Sequence, residues 1–216
     1  RDRAKGDMNE SQGTFNLPPN ASVQADQMVD PLFTFIFWMS VVFFAIVAVG
    51  SLYLAVRYRQ RSATPKLTSG KDHNTILELV WTVVPTILVM VVFFWGFRAY
   101  LSLYLAPANA IVVNVEAMQW KWRFSYPDGY DDPELHVPAG RPVKLLMHSI
   151  DVIHSLYIPD FRVKMDVLPN RYTSLWFEAK PPAVDGEKLD LFCTEYCGLD
   201  HSRMLSKVVV HTEAGY

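Results

Sequence analysis

Cysteine is scarce in this sequence: 216 residues hold two, Cys193 and Cys197. Two are too few for the disulfide framework that scaffolds small exported domains. An excess of positive charge is also missing. The net charge is −2, and no run of Lys and Arg with interleaved aromatics appears, which argues against a nucleic-acid partner. Internal repeats and low-complexity tracts are absent. So is the pattern of a charged n-region followed by an apolar h-region at the start. The first residue is Arg1, and the expectation is that any signal peptide has been removed.

Charge itself is missing from two long stretches. Pro31 to Val56 is 26 residues without a charged side chain, and Leu79 to Phe97 is another 19, bounded by Glu78 and Arg98. A bilayer core needs about 20 apolar residues in a helix, so both runs qualify as spans. Pro85 lies inside the second, where membrane helices tolerate it. Trp81, Trp95, Tyr53 and Tyr58 lie near the ends, as interfacial aromatics do. The alternative, a pair of buried core helices, fails because the remaining domain is too small to bury both.

The loop between the runs holds Arg57, Arg59, Arg61, Lys66 and Lys71 against Asp72 alone. The positive-inside bias predicts a cytoplasmic loop, with the N-terminal arm and everything after about residue 105 on the outer side. The expected division is an arm over 1–30 that is extended or loosely ordered, a hairpin over 31–104 with spans of about 31–57 and 78–104, and an outer domain over 105–216.

That outer domain reads as β. Ile111–Val115, Pro142–Met147, Ser174–Phe177 and Lys207–Val210 are apolar-rich runs separated by turns such as Pro138-Ala139-Gly140 and Pro169-Asn170-Arg171. Short strands at this spacing suggest a small sandwich or Greek-key barrel.

The chemistry concentrates in Cys193-Thr194-Glu195-Tyr196-Cys197-Gly198-Leu199-Asp200-His201-Ser202-Arg203-Met204. Two thiolates, an imidazole and a thioether in one short stretch are soft ligands, which favour copper or zinc over calcium or magnesium. Two cysteines alone would suggest a disulfide, and a lone His or Met would suggest packing. A disulfide needs neither the His nor the Met, so the combined spacing favours a metal. His154, in Val152-Ile153-His154-Ser155, supplies a second imidazole from an earlier strand end. Thioether is a poor zinc ligand, which leaves copper.

From the first span to about Val210 the chain resembles cytochrome c oxidase subunit II. The resemblance rests on the hairpin, the run Gln119-Trp120-Lys121-Trp122-Arg123-Phe124, the His154 loop and the Cys-Cys-His-Met loop, in that order. It implies a two-helix transmembrane hairpin followed by an all-β, cupredoxin-like Greek-key barrel carrying the binuclear copper centre CuA. Cys193 and Cys197 would bridge the coppers. His154 and Met204 would complete one, and His201 with the Glu195 carbonyl the other. The Glu195 side chain would approach a magnesium shared with subunit I, and the haems would lie in that partner only. Trp120 would receive electrons from cytochrome c, and Glu78 would stand at the mouth of a proton path. If the aromatic run is a strand, Trp120 and Trp122 share a face. Thr75-Ile76-Leu77-Glu78 also fits a capping box, an alternative role for Glu78.

From Pro107 onward 15 Asp and Glu face 11 Lys and Arg, a balance of 11 − 15 = −4. Asp128, Asp131, Asp132 and Glu134, just after the aromatic run, are expected to form an acidic rim that steers a basic cytochrome c. No Cys-x-x-Cys-His site for a fused cytochrome domain occurs. Ala117-Met118 replace a Gly-His pair common in the family. The N-terminal arm favours a bacterial inner membrane over a mitochondrial one. A CuA-bearing subunit of a nitric oxide reductase would share the same ligands. A membrane-tethered copper chaperone would not need the aromatic run.

Overall fold

The computed structural model describes residues 19–61, 70 and 72–216. Residues 1–18, 62–69 and 71 lie outside the described set, and with them most of the expected arm and the loop lysines Lys66 and Lys71.

Two helices come first, α1 over Asp30–Arg57 and α2 over Thr75–Tyr104. Neither buries a single residue within the chain, although both are apolar all round. A helix of 28 residues is about 42 Å long, enough to cross a bilayer. Such an exposed apolar surface belongs in lipid or against other membrane subunits, because water would oppose it. Within the pair, Phe35 and Trp95 meet with ring centroids 5.6 Å apart. Thr86 donates its hydroxyl to the Thr82 carbonyl at 2.6 Å, beside Pro85, which has no N–H to give.

The cap of α2 differs from the expected one. Asn74, not Thr75, holds the N-cap: its Oδ1 accepts from the Leu77 N–H at 3.2 Å. Glu78 reaches back to the Asn74 N–H at 3.4 Å. The reciprocal logic of a capping box survives, shifted by one residue.

The chain divides into two compact units, one joining the stretch up to Pro31 to Ala99–Tyr216, the other Leu32–Arg98. Among the described residues the first contains ten strands: β1 Ile111–Met118, β2 Lys121–Ser125, β3 Asp131–Asp132, β4 Leu135–Pro138, β5 Pro142–Ser149, β6 His154–Ile158, β7 Val163–Val167, β8 Thr173–Glu178, β9 Glu187–Cys193 and β10 Leu205–His211. They form two five-stranded sheets, in the orders β3-β2-β1-β5-β8 and β4-β10-β9-β6-β7. Parallel pairs β1–β5 and β4–β10 carry the chain between hairpins, as a Greek-key arrangement requires.

Alternation builds the core. Along β5, residues Val143, Leu145 and Met147 are fully buried while their neighbours are half-buried. Val113 and Val115 of β1, Phe124 of β2, Leu156 and Ile158 of β6 and Phe177 of β8 meet them from both sheets.

Residues 19–30 are not the loose arm the sequence suggests. Ser22 forms an isolated bridge with Ala179, and Gln24 accepts from the Glu178 N–H at 3.0 Å. A π-helical turn over Ala25–Val29 then leads into α1. Asp30, at its end, pairs with Arg162 at 3.1 Å in a largely buried ion pair. The partners lie far away in sequence, so composition alone gave no sign of them.

Candidate metal centre

The centre lies where β6 begins and β9 ends. These strands pair, with Leu156 opposite Cys193. Beyond the ladder, the Thr194 N–H donates to the Ser155 carbonyl at 2.9 Å. His154 and Cys193 are therefore neighbours, with Nδ1 and Sγ 3.9 Å apart. The chain then loops back, and a 3-10 turn over His201–Arg203 delivers Met204 to the start of β10. The Cys193 N–H donates to the Met204 carbonyl at 3.2 Å and closes the loop.

This path gathers every donor the sequence singled out. Cys193 Sγ is 3.8 Å from Cys197 Sγ and 3.3 Å from the Glu195 carbonyl oxygen. Cys197 Sγ is 3.4 Å from His201 Nδ1 and 3.8 Å from Met204 Sδ. Both cysteines are free thiols, too far apart for a disulfide. His154 and Met204 are wholly buried. His154, Cys193 and Cys197 can hold a metal, with ligand atoms within 4.8 Å of one another. Soft sulfur and imidazole donors in a buried pocket match copper. The Glu195 side chain is exposed, so only its carbonyl joins the cluster.

The thiols are electrostatically unequal. Burial pushes the Cys193 thiol up, but hydrogen bonds from His154 and from the backbone at Glu195 and Ser155 outweigh it, and its pKa falls to about 6. Burial and then the neighbouring Cys193 charge push Cys197 up to about 12. The pair thus holds one negative charge readily, and an incoming cation is what makes the second thiolate favourable.

Three residues with no assigned role in the sequence reading support the ligands. Asp151 Oδ1 lies 2.8 Å from His154 Nε2, leaving Nδ1 turned toward the sulfurs. A carboxylate behind an imidazole is the usual support for a metal-ligating His. Its sequence signal, an acid three residues before the ligand, is too common to stand out. Asp151 Oδ2 also accepts from the Gln119 N–H at 2.7 Å. Gln119 in turn donates its side-chain amide to the Cys197 carbonyl at 2.8 Å. Gly198 has φ +121, and a Cβ there would meet Gln119 Nε2 at 3.0 Å and Trp120 Cζ2 at 3.2 Å. The site needs glycine at that position for both reasons.

Trp120 is not in a strand. It sits in the β1–β2 turn, half-buried against Gly198, and so the shared-face argument for Trp120 and Trp122 does not apply. Both nonetheless reach the centre, since buried Trp122 meets the His154 ring edge-on at 6.2 Å between centroids. The acidic rim is corrected too. Asp131 and Asp132 pair with Ser125 and Phe124, at the far end of β2 from Trp120. Glu78 lies outside this cluster, in the first turn of α2.

Comparison with known proteins supplies the wider setting. A family model described as cytochrome c oxidase subunit II, transmembrane domain, matches residues 10–99. A second, described as cytochrome c oxidase subunit II, periplasmic domain, matches residues 130–212. The chain is 28% identical to cytochrome c oxidase subunit 2 of Synechocystis, over 93% of this chain and 73% of that one. It is 29% identical to alternative cytochrome c oxidase subunit 2 of Bradyrhizobium diazoefficiens, over 87% and 77%. A crystal structure of the periplasmic domain of subunit II of cytochrome oxidase from Bradyrhizobium japonicum aligns at 26% identity and TM-score 0.46, covering 51% of this chain and 90% of that one.

Proposed function

This chain belongs to the family of cytochrome c oxidase subunit II, and from that premise we propose that it accepts electrons from cytochrome c through a binuclear copper centre and delivers them to subunit I. It is a membrane protein and part of a haem–copper oxidase complex. Subunit I would hold the haems, reduce O2 to water and pump protons.

The observation that carries the reading is the convergence of six donors, each within 3.9 Å of a cysteine sulfur. Cys193 and Cys197 would bridge two coppers, with His154 and Met204 on one and His201 and the Glu195 carbonyl on the other. When bound, such a pair supplies a one-electron site whose unpaired electron is shared between both metals.

The rest is work for the chain's own residues. The β6–β9 ladder fixes His154 and Cys193 on the rigid sandwich, so few atoms need move on redox change. Asp151 holds the His154 ring, and burial of Met204 keeps water from that side. Trp120 lies against the peptide that follows Cys197, which suits it to pass an electron inward. The exposed Glu195 side chain is free to meet a magnesium ion shared with subunit I.

Glu78 is assigned the mouth of a proton path, a role its capping bond to Asn74 does not preclude. The basic loop residues support a cytoplasmic loop, with both termini and the β domain on the outer face of a bacterial cytoplasmic membrane. The domains proposed are 1–30, 31–104 and 105–216.

The test is rapid mixing of the assembled oxidase with reduced cytochrome c. Cys197→Ser should abolish fast electron uptake while subunit I still assembles. Unchanged uptake in that variant would refute the reading.

A further inference from the structure

Trp122 is a buried side chain that the proposed function leaves without a role. It is 3% exposed and shares the buried face of β2 with Phe124. Its ring meets the His154 ring edge-on, with centroids 6.2 Å apart and planes at 63°. β2 and β6 belong to different sheets, so the indole reaches His154 across the sandwich.

Packing alone does not account for a tryptophan here. The indole Nε1 is buried and has no hydrogen-bond partner among the described residues. An unmade bond in the interior costs stability, and buried tryptophans ordinarily find a partner for that N–H. A phenylalanine, as at Phe124, would fill an apolar core with no N–H to satisfy. What the larger ring adds is apolar surface against His154.

That imidazole is enclosed on three sides. Asp151 Oδ1 lies 2.8 Å from Nε2, Cys193 Sγ lies 3.9 Å from Nδ1, and Trp122 meets the ring. The second imidazole has the opposite setting. His201 is half-buried, and the ring it meets, Tyr196 at 5.8 Å between centroids, is 77% exposed.

We propose that Trp122 is a positioning residue for electron transfer: it holds the His154 ring, keeps water from it and so sets the potential of the centre. The inference rests on the copper reading above. Two coppers with two bridging thiolates carry one net positive charge when oxidised and none when reduced. An apolar wall disfavours the more charged state, and the hydrophobic shell of a metal site controls its potential in this way. Trp122 therefore favours acceptance of an electron, and room for water beside His154 would oppose it.

The experiment is a redox titration of the copper-loaded full-length chain, followed by electron spin resonance, with thermal midpoints of the copper-free chain alongside. Trp122→Leu should shift the one-electron equilibrium about tenfold toward the oxidised form, a potential lower by about 59 mV. Trp122→Phe keeps a ring beside His154 and should shift it less, about threefold. In both variants electron–nuclear double resonance should show a changed nitrogen coupling for His154 and an unchanged one for His201. A Leu variant with a lowered copper-free midpoint but unmoved potential and couplings would show that Trp122 only packs, and overturns the proposal. So does a Phe variant that shifts the potential as far as Leu, since the lost N–H and not the apolar wall would then act. Should the Leu variant not fold, the Phe variant decides: an unmoved potential with unchanged couplings overturns the proposal. A wild-type chain without the two-copper signal overturns the copper reading, and this proposal with it.

Discussion

Trp120 packs on Gly198 so closely that a Cβ on the glycine would sit 3.2 Å from the indole Cζ2. Gly198 follows Cys197 directly, so the surface aromatic and the buried sulfur are separated by one peptide unit. Gly198→Ala should therefore disturb both. Its φ of +121 disfavours any L side chain, at a cost on the order of 1–3 kcal/mol. The expected outcome is a lower thermal midpoint, together with slower electron uptake from cytochrome c. A variant with unaltered midpoint and kinetics would show that the contact is dispensable.

Trp120→Gln isolates the ring from the loop. Electron transfer should fall at least tenfold while donor affinity, measured by surface binding, stays within about twofold, because charges and not one ring dominate steering. A loss of affinity matching the loss of rate would reassign Trp120 to docking alone.

Steering should come from the domain as a whole, with its balance of 11 − 15 = −4 from Pro107 onward. Cytochrome c oxidation should slow as salt is added. Asp131 lies about 16 Å from Trp120, the length of the five-residue β2, beyond the Debye length of about 8 Å at physiological salt. Asp131→Asn should then change the association rate less than about twofold at that salt. A larger drop would place the donor nearer that end of the hairpin.

Asp151 should matter to copper although it does not ligate. Asp151→Asn keeps the shape but loses the charge behind His154 and the strong acceptor for the Gln119 N–H. Copper retention against a chelator should weaken about 10- to 100-fold. Retention equal to the wild type would mean that packing alone orients the ring.

The sequence made the strands and the ligand loop legible for physical reasons. Val143, Leu145 and Met147 alternate with less buried neighbours, and that period survives in the primary structure. Four soft donors within one short loop are rare by chance. Asp151, by contrast, acts only once β6 is folded against β9. The tie between Asp30 and Arg162 spans 132 residues and leaves no local pattern. The aromatic run leaves open where the strand begins: Trp122 lies in β2, while Trp120, two positions earlier, lies in the turn before it.

Acid should loosen the β6–β7 edge. Hydrogen bonding from Ser155 Oγ at 2.7 Å, then from Lys164, holds the Asp166 carboxyl below its usual range. A depressed carboxylate stabilises the fold above its unfolded pKa of about 3.9, and that stability is lost as pH falls through the folded value. Asp166→Asn should thus be less stable than the wild type at pH 7, with the difference vanishing at the acid end of a thermal-midpoint series. A difference that persists undiminished below about pH 2 would mean the carboxylate charge is not involved.

The most direct measurement is copper content combined with electron spin resonance on the purified chain. Two coppers per chain and a mixed-valence signal shared by both are expected, abolished in Cys193→Ser and Cys197→Ser. Met204→Leu should retain copper with a shifted potential, since the thioether is a weak ligand. One zinc per chain, or a single-copper signal that survives either cysteine substitution, would contradict the account.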